Sequence, residues 1–287
     1  MRRLLAVLLL VAAFPAAAAE FLWEVSSLTN RAYLFGTVHA GKSQWYPLPK
    51  PVEEAFAAAK VVVVEADITN AESLAKVAPA MMLKPPATLA QVVPADDYVR
   101  FRRQLMRYGL KEEETASMRP FMAVSLLVFA EWARLGYLPQ FGVDGYLIER
   151  AKKDGKRIVE IEGVAVQAQL IGSLTAQENR TLFTGTLTAL ESGLTSEQIT
   201  GMVNAWQAGQ PDLLLEIARK YNDLVPGAKE FAEKFIWARH DAMAGKIEDY
   251  LNRSRERHFI AVGSLHLAGP RGLVEVLRSR GYTVRQL

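Results

Sequence analysis

The chain has 287 residues, 50 % of them hydrophobic and 23 % charged, with no cysteine and a formal net charge of +3. The missing cysteine excludes disulfides, thiolate nucleophiles, Cys-ligated metals and a lipid anchor on an N-terminal cysteine. Arg2 and Arg3 are the only charged residues among the first 19, so the remainder carries +1, a balance that argues against nucleic acid as a partner.

The chain opens with the three parts of a secretory signal. Arg2 and Arg3 are followed by an apolar run from Leu4 to Phe14 and by Ala17-Ala18-Ala19, with Glu20 opening the mature protein. A periplasmic or secreted location is therefore expected. The run is short for a bilayer, and no later segment has a spanning helix's unbroken apolar length, so no stable membrane anchor is expected in the mature form. Phe21–Ser26 and Arg31–Phe35 read as a hairpin around the turn at Leu28-Thr29-Asn30. Pro47, Pro49 and Pro51 lead into a short helix over Val52–Ala59. Val61–Val64 is a buried strand, β-branched and uncharged.

From about Asn70 to Tyr137 the pattern is helical, punctuated by Pro85-Pro86, Pro94 and Pro120, with a strongly apolar helix over Phe121–Leu135. Val143–Lys153 is a helix with Asp144 near its start, as a capping residue, and Gly155 past its end. Arg157–Ile161 is a strand and residues 164–253 are again helical. His258–Val262, Pro270–Arg280 and Tyr282–Gln286 read as strand, helix and strand. This order predicts an α/β fold: residues 20–287 form a single domain, with a helical cap at approximately 68–140 and 164–256.

Two segments echo each other. Tyr33-Leu34-Phe35-Gly36-Thr37-Val38-His39 and Ile260-Ala261-Val262-Gly263-Ser264-Leu265-His266 each read strand, Gly, small hydroxyl, aliphatic, His. Each continues through a proline-containing loop into a helix and a strand. The predicted central sheet is thus built from two related strand-GxxH-helix-strand units. A His just past a strand's carboxyl end lies where open α/β sheets bind ligands, so His39 and His266 are expected to face one pocket. Glu65 follows the Val61–Val64 strand directly, and a carboxylate there needs a partner. Glu160 and Glu162 flank Ile161 at the end of the Arg157–Ile161 strand. Two His and a Glu, with one position left for water, form a standard catalytic metal set. No HExxH, GxSxG, Walker loop or dinucleotide fingerprint occurs. His258, among Arg253, Arg255 and Arg257, reads as a solvated histidine. The five tryptophans read as packing residues.

These blocks resemble the TraB/GumN (TraB/PrgY/GumN) family, which includes the Tiki proteins. The matching residues are Trp23 with Tyr33–His39, Val63-Val64-Glu65, Gly142–Leu147 with Ala151–Lys156, Ile161-Glu162 with Gln167, and Ala261–Gly269 with Gly281, Tyr282 and Val284. The resemblance implies a metal-dependent hydrolase, most plainly a peptidase acting on peptide or protein. His39, His266 and Glu65 would take the metal, and Glu65, Glu162 and Arg239 the catalytic and supporting roles. It favours manganese or cobalt as the divalent ion, while the ligand types alone also suit zinc or iron. Arg239 matches an Arg-Asn pair of the family, but His240 stands in the place of the Asn. That departure leaves a second expectation open: an envelope protein of the same fold that binds haem, metal or a small ligand without turnover.

Overall fold

The computed structural model describes residues 20–287; the signal peptide expected over residues 1–19 lies outside them. Six strands form one mixed sheet in the order β4-β3-β5-β2-β1-β6. They are β1 (Leu22–Ser26), β2 (Arg31–Thr37), β3 (Val61–Val64), β4 (Arg157–Glu160), β5 (His258–Gly263) and β6 (Thr283–Gln286). β2, β3 and β4 run parallel to β5, directly or through a neighbour, while β1 is antiparallel to both β2 and β6. β1 is therefore the single reversed strand among the described residues.

The two echoing units do lie side by side, through β2 and β5, which pair in parallel from Ala32↔His258 to Thr37↔Gly263. Within a unit, however, the strands are not neighbours. β5 inserts between β2 and β3, so the most buried strands come from opposite ends of the chain. Every residue of β3 is buried, as suits four valines in a strand flanked by β4 and β5.

The helices before β4 are α1 (Lys50–Ala58), α2 (Ala71–Val77), α3 (Leu89–Val92), α4 (Ala95–Tyr108), α5 (Pro120–Arg134) and α6 (Val143–Lys153). Between β4 and β5 come α7 (Val164–Gly172), α8 (Ala176–Glu191), α9 (Leu194–Gln207), α10 (Pro211–Leu224), α11 (Ala228–Phe235) and α12 (His240–Arg253); α13 (Leu273–Ser279) precedes β6. Local chemistry sets several ends. Pro120 opens α5 at a position where its missing N–H costs nothing, Thr175 and Glu178 form a capping box on α8, and Gly109 ends α4 at φ +68°. The sheet and its flanking helices share one apolar core, while α3, α4, α5 and α8 pack a second around Phe101, Leu127 and Phe183. No helix of the described residues is long and apolar enough to cross a membrane.

His258 is buried rather than solvated. As the first residue of β5 it faces inward, with its ring stacked on Tyr250 at 4.8 Å, while the neighbouring arginines stay outside.

Candidate functional site

The carboxyl ends of β2, β3 and β5 come together at one edge of the sheet, and the loops leaving them line a cavity of about 410 Å³. His39, Glu65, Arg239 and His266 all border it. Glu162 stands just behind, on Arg239. All five residues singled out in the sequence thus meet in one cluster. Glu160 does not join it: its carboxylate turns away and accepts the Asp67 N–H at 2.6 Å.

Arg239 sits in a short 3-10 turn, Trp237–Arg239, immediately before α12. Its Nε donates to Glu162 at 2.9 Å, and Nη2 donates to Glu65 Oε2 at 2.8 Å and again to Glu162. Nη1 donates to the Phe235 carbonyl at 2.5 Å and faces His266 Nε2 at 3.3 Å. All five guanidinium N–H groups are therefore engaged. The three charged side chains are only 9–12 % exposed. Glu65 also accepts the Gly263 N–H at 2.6 Å. Burial pushes its carboxyl up, but His266, Arg239 and the Gly263 N–H outweigh it and hold Glu65 down at about 2.

The two histidines are held differently. His39 is 65 % exposed at the cavity, and its Nδ1 meets Asp144 Oδ2 at 2.9 Å. The other Asp144 oxygen accepts from Thr37 Oγ1 at 2.6 Å. Asp144 therefore does not cap its helix through its side chain. It lies in the first turn of α6, where the helix dipole favours an anion, and reaches across to β2. Its charge raises His39 to about 9. Gly142 permits this approach: a Cβ there would lie 2.5 Å from the His39 carbonyl oxygen.

His266 is buried, in the turn Ser264–Leu267. Its Nδ1 meets His240 Nε2 at 2.8 Å, and His240 Nδ1 meets the Arg271 carbonyl at 2.5 Å. Burial lowers His266 to about 3 and also lowers His240, so both rings are neutral at pH 7. The tautomers follow. A carbonyl only accepts, so His240 Nδ1 carries the proton and its Nε2 accepts from His266 Nδ1–H. His266 Nε2 is left unprotonated; its lone pair faces Arg239 Nη1 at 3.3 Å and lies 3.6 Å from Glu65 Oε1. Two acceptors facing each other this closely call for a cation between or beside them, and the Arg239 guanidinium is the cation present.

Among the described residues, no three His, Cys, Asp or Glu side chains stand close enough together to hold a metal ion. The donors nevertheless suit one chemically. Each imidazole has its far nitrogen engaged, by Asp144 or by His240, in the manner of carboxylate–histidine metal sites, and a metal would take the near nitrogen in place of the His39 proton and of the Arg239 contact to His266.

The match to the TraB/PrgY/gumN family model runs over residues 21–286. The chain belongs to this family. Among its relatives, "Uncharacterized protein YbaP" of Escherichia coli (strain K12) is 23 % identical over 90 % of this chain and 94 % of that protein. "Metalloprotease TIKI homolog" of Nematostella vectensis is 22 % identical over 92 % of this chain and 66 % of its own length. "Metalloprotease TIKI1" of Xenopus tropicalis is also 22 % identical, with 61 % of its length matched. The chain thus spans about two thirds or less of these metalloproteases. No solved structure matches it.

Three contributors escaped the sequence reading. Asp144 reads first as a cap and only second as a site residue, His240 only as a departure from the family's Asn, and the cavity's apolar wall carries no signal of a role. A helical face did mark that wall: Phe231 and Phe235 are four apart, and Phe121 and Trp132 are three turns apart.

Proposed function

We propose that this TraB/PrgY/gumN-family chain is an exported, metal-dependent hydrolase of peptide bonds. The observation that carries the reading is the convergence of His39, Glu65 and the unprotonated Nε2 of His266 on one cavity, at the carboxyl edge of a sheet. The metalloprotease names of the Tiki relatives support it. His39, His266 and Glu65 would hold a divalent ion, manganese or cobalt before zinc. When bound, such an ion supplies a Lewis acid that polarises a carbonyl and acidifies water. Asp144 orients His39, and the His240–Arg271 relay orients His266. Arg239, with its donors spent, fixes Glu65 and is itself fixed by Glu162. Export rests on the tripartite pattern of residues 1–19, and mass spectrometry of the mature N-terminus is expected to find Glu20.

The test is metal content by mass spectrometry after loading with manganese, cobalt or zinc, for wild type beside His39→Ala and His266→Ala, followed by a peptide-library cleavage screen. The expected result is about one ion per chain, lost in both variants, and cleavage that needs the ion. A wild type that retains no ion refutes the metal-dependent reading.

One observation favours a second reading. The Arg239 guanidinium already contacts both Glu65 and His266, as a resident cation would. On that reading the cavity binds a ligand without turnover. It predicts ligand binding with no ion uptake and no cleavage.

A further inference from the structure

The cavity has two unlike walls. Its floor, at the strand ends, is polar: His39, Glu65, Arg239 and His266. Its roof comes from α5, α7 and α11 and is apolar, formed by Phe121, Phe129, Ile171, Phe231 and Phe235 with Trp132 at one side. The rings of Phe121, Phe231 and Phe235 pack mutually, with centroids 4.2–5.8 Å apart. Apart from Trp132, none of these six belongs to the packed apolar clusters of the described residues. Phe129 is 40 % exposed. These helices present an apolar, largely aromatic surface to the cavity rather than to the core.

Charge narrows what fits there. Glu65 is the one carboxylate among the lining residues, and the donors of Arg239 beside it are all taken. An anionic head, such as a fatty-acid carboxylate, meets the Glu65 carboxylate and finds no free donor on Arg239. A neutral amide does not meet that repulsion. We infer that the cavity is a specificity subsite for a large apolar side chain, aromatic by preference, carried by a neutral peptide whose amide lies over the His39–Glu65–His266 floor. The peptide part rests on the hydrolase reading; the apolar subsite rests on the roof alone.

The experiment separates the two. Metal-free protein, wild type and Phe129→Ser, is titrated by calorimetry with N-acetylated, C-amidated tripeptides Ala-Phe-Ala, Ala-Gly-Ala and Ala-Asp-Ala, and with decanoate. The metal-loaded protein is screened against a peptide library in parallel. Thermal melting confirms that Phe129→Ser is folded, and Ile171→Ser is the second variant if it is not. Ala-Phe-Ala is expected to bind about tenfold or more tighter than Ala-Gly-Ala, with the difference shrinking severalfold in the variant. Any cleavage sites should cluster beside Phe, Trp, Leu or Met. Selective binding without cleavage supports the subsite and removes only the hydrolase reading. Cleavage with no preference for apolar residues, unchanged in the variants, overturns the subsite and leaves the hydrolase standing. Equal binding of the three tripeptides overturns it as well. Decanoate binding tighter than Ala-Phe-Ala overturns the peptide occupant and makes the roof a lipid pocket.

Discussion

Arg239→Met tests the electrostatic account of the site most directly. The guanidinium lies between Glu65 and Glu162, and all three side chains are nearly buried. Removing one partner of a buried ion pair leaves uncompensated charge, which costs about 3–5 kcal/mol. Against burial, the Glu65 carboxyl is held down at about 2 by His266 first and Arg239 second, so loss of the guanidinium acts in the same direction. The melting temperature of the metal-free protein should therefore fall by roughly 6–20 °C at pH 7.5. The deficit should narrow in acid, for two reasons of the same sign. In the wild type the Glu65 contribution is present above 4.5 and is lost as pH falls towards 2. In the variant, Glu65 loses one of the groups that hold it down, so it takes up its proton at a less acidic pH and protonation relieves the unpaired charge. The assay is melting by circular dichroism from pH 7.5 down to about 3, which enters the window where Glu65 titrates, repeated in a Glu65→Gln/Glu162→Gln background where no carboxylate is left unpaired. A deficit that is constant with pH, or equally large in the neutral background, refutes the reasoning and makes Arg239 a packing residue.

Asp144→Asn should let His39 fall from about 9 towards its ordinary 6.5, read as a shifted ring titration by NMR, because the Asp144 charge is the main cause of the elevation. An unmoved titration would assign that elevation to another group. His258→Phe should flatten stability between pH 6.5 and 5, measured by urea unfolding. Burial lowers the folded His258 below 6.5, so the wild type loses stability as the unfolded chain takes up the proton, and a phenylalanine cannot. An unchanged slope would count against that burial. Gly142→Ala should cost about 1–3 kcal/mol in the same assay, since its Cβ meets the His39 carbonyl at 2.5 Å and backbone must shift. A neutral Gly142→Ala would show that the α6 approach to β2 is not tight.

Local pattern carried much of the architecture. The Val61–Val64 run is β3 to the residue, because a β-branched, uncharged stretch of four has only a fully flanked strand to occupy. The alternation of strands and long amphipathic segments made the fold α/β, and the duplicated GxxH put both histidines just past strand ends. Boundaries moved by a few residues where prolines and glycines took turn positions: the last helix begins at Leu273 rather than Pro270. Pairing was not legible, since nothing local to β2 or β3 announces that a strand more than 190 residues further on inserts between them. Partnership was equally non-local. Asp144 reaches His39 across 105 residues, Arg239 reaches Glu65 across 174, and His258 is buried by its place in the sheet despite three charged neighbours in sequence. Chain order places these residue types at the strand ends. Which of them share a charge, which tautomer His266 adopts and which aromatic rings roof the cavity follow from the folded packing, because those depend on distances that chain order does not set.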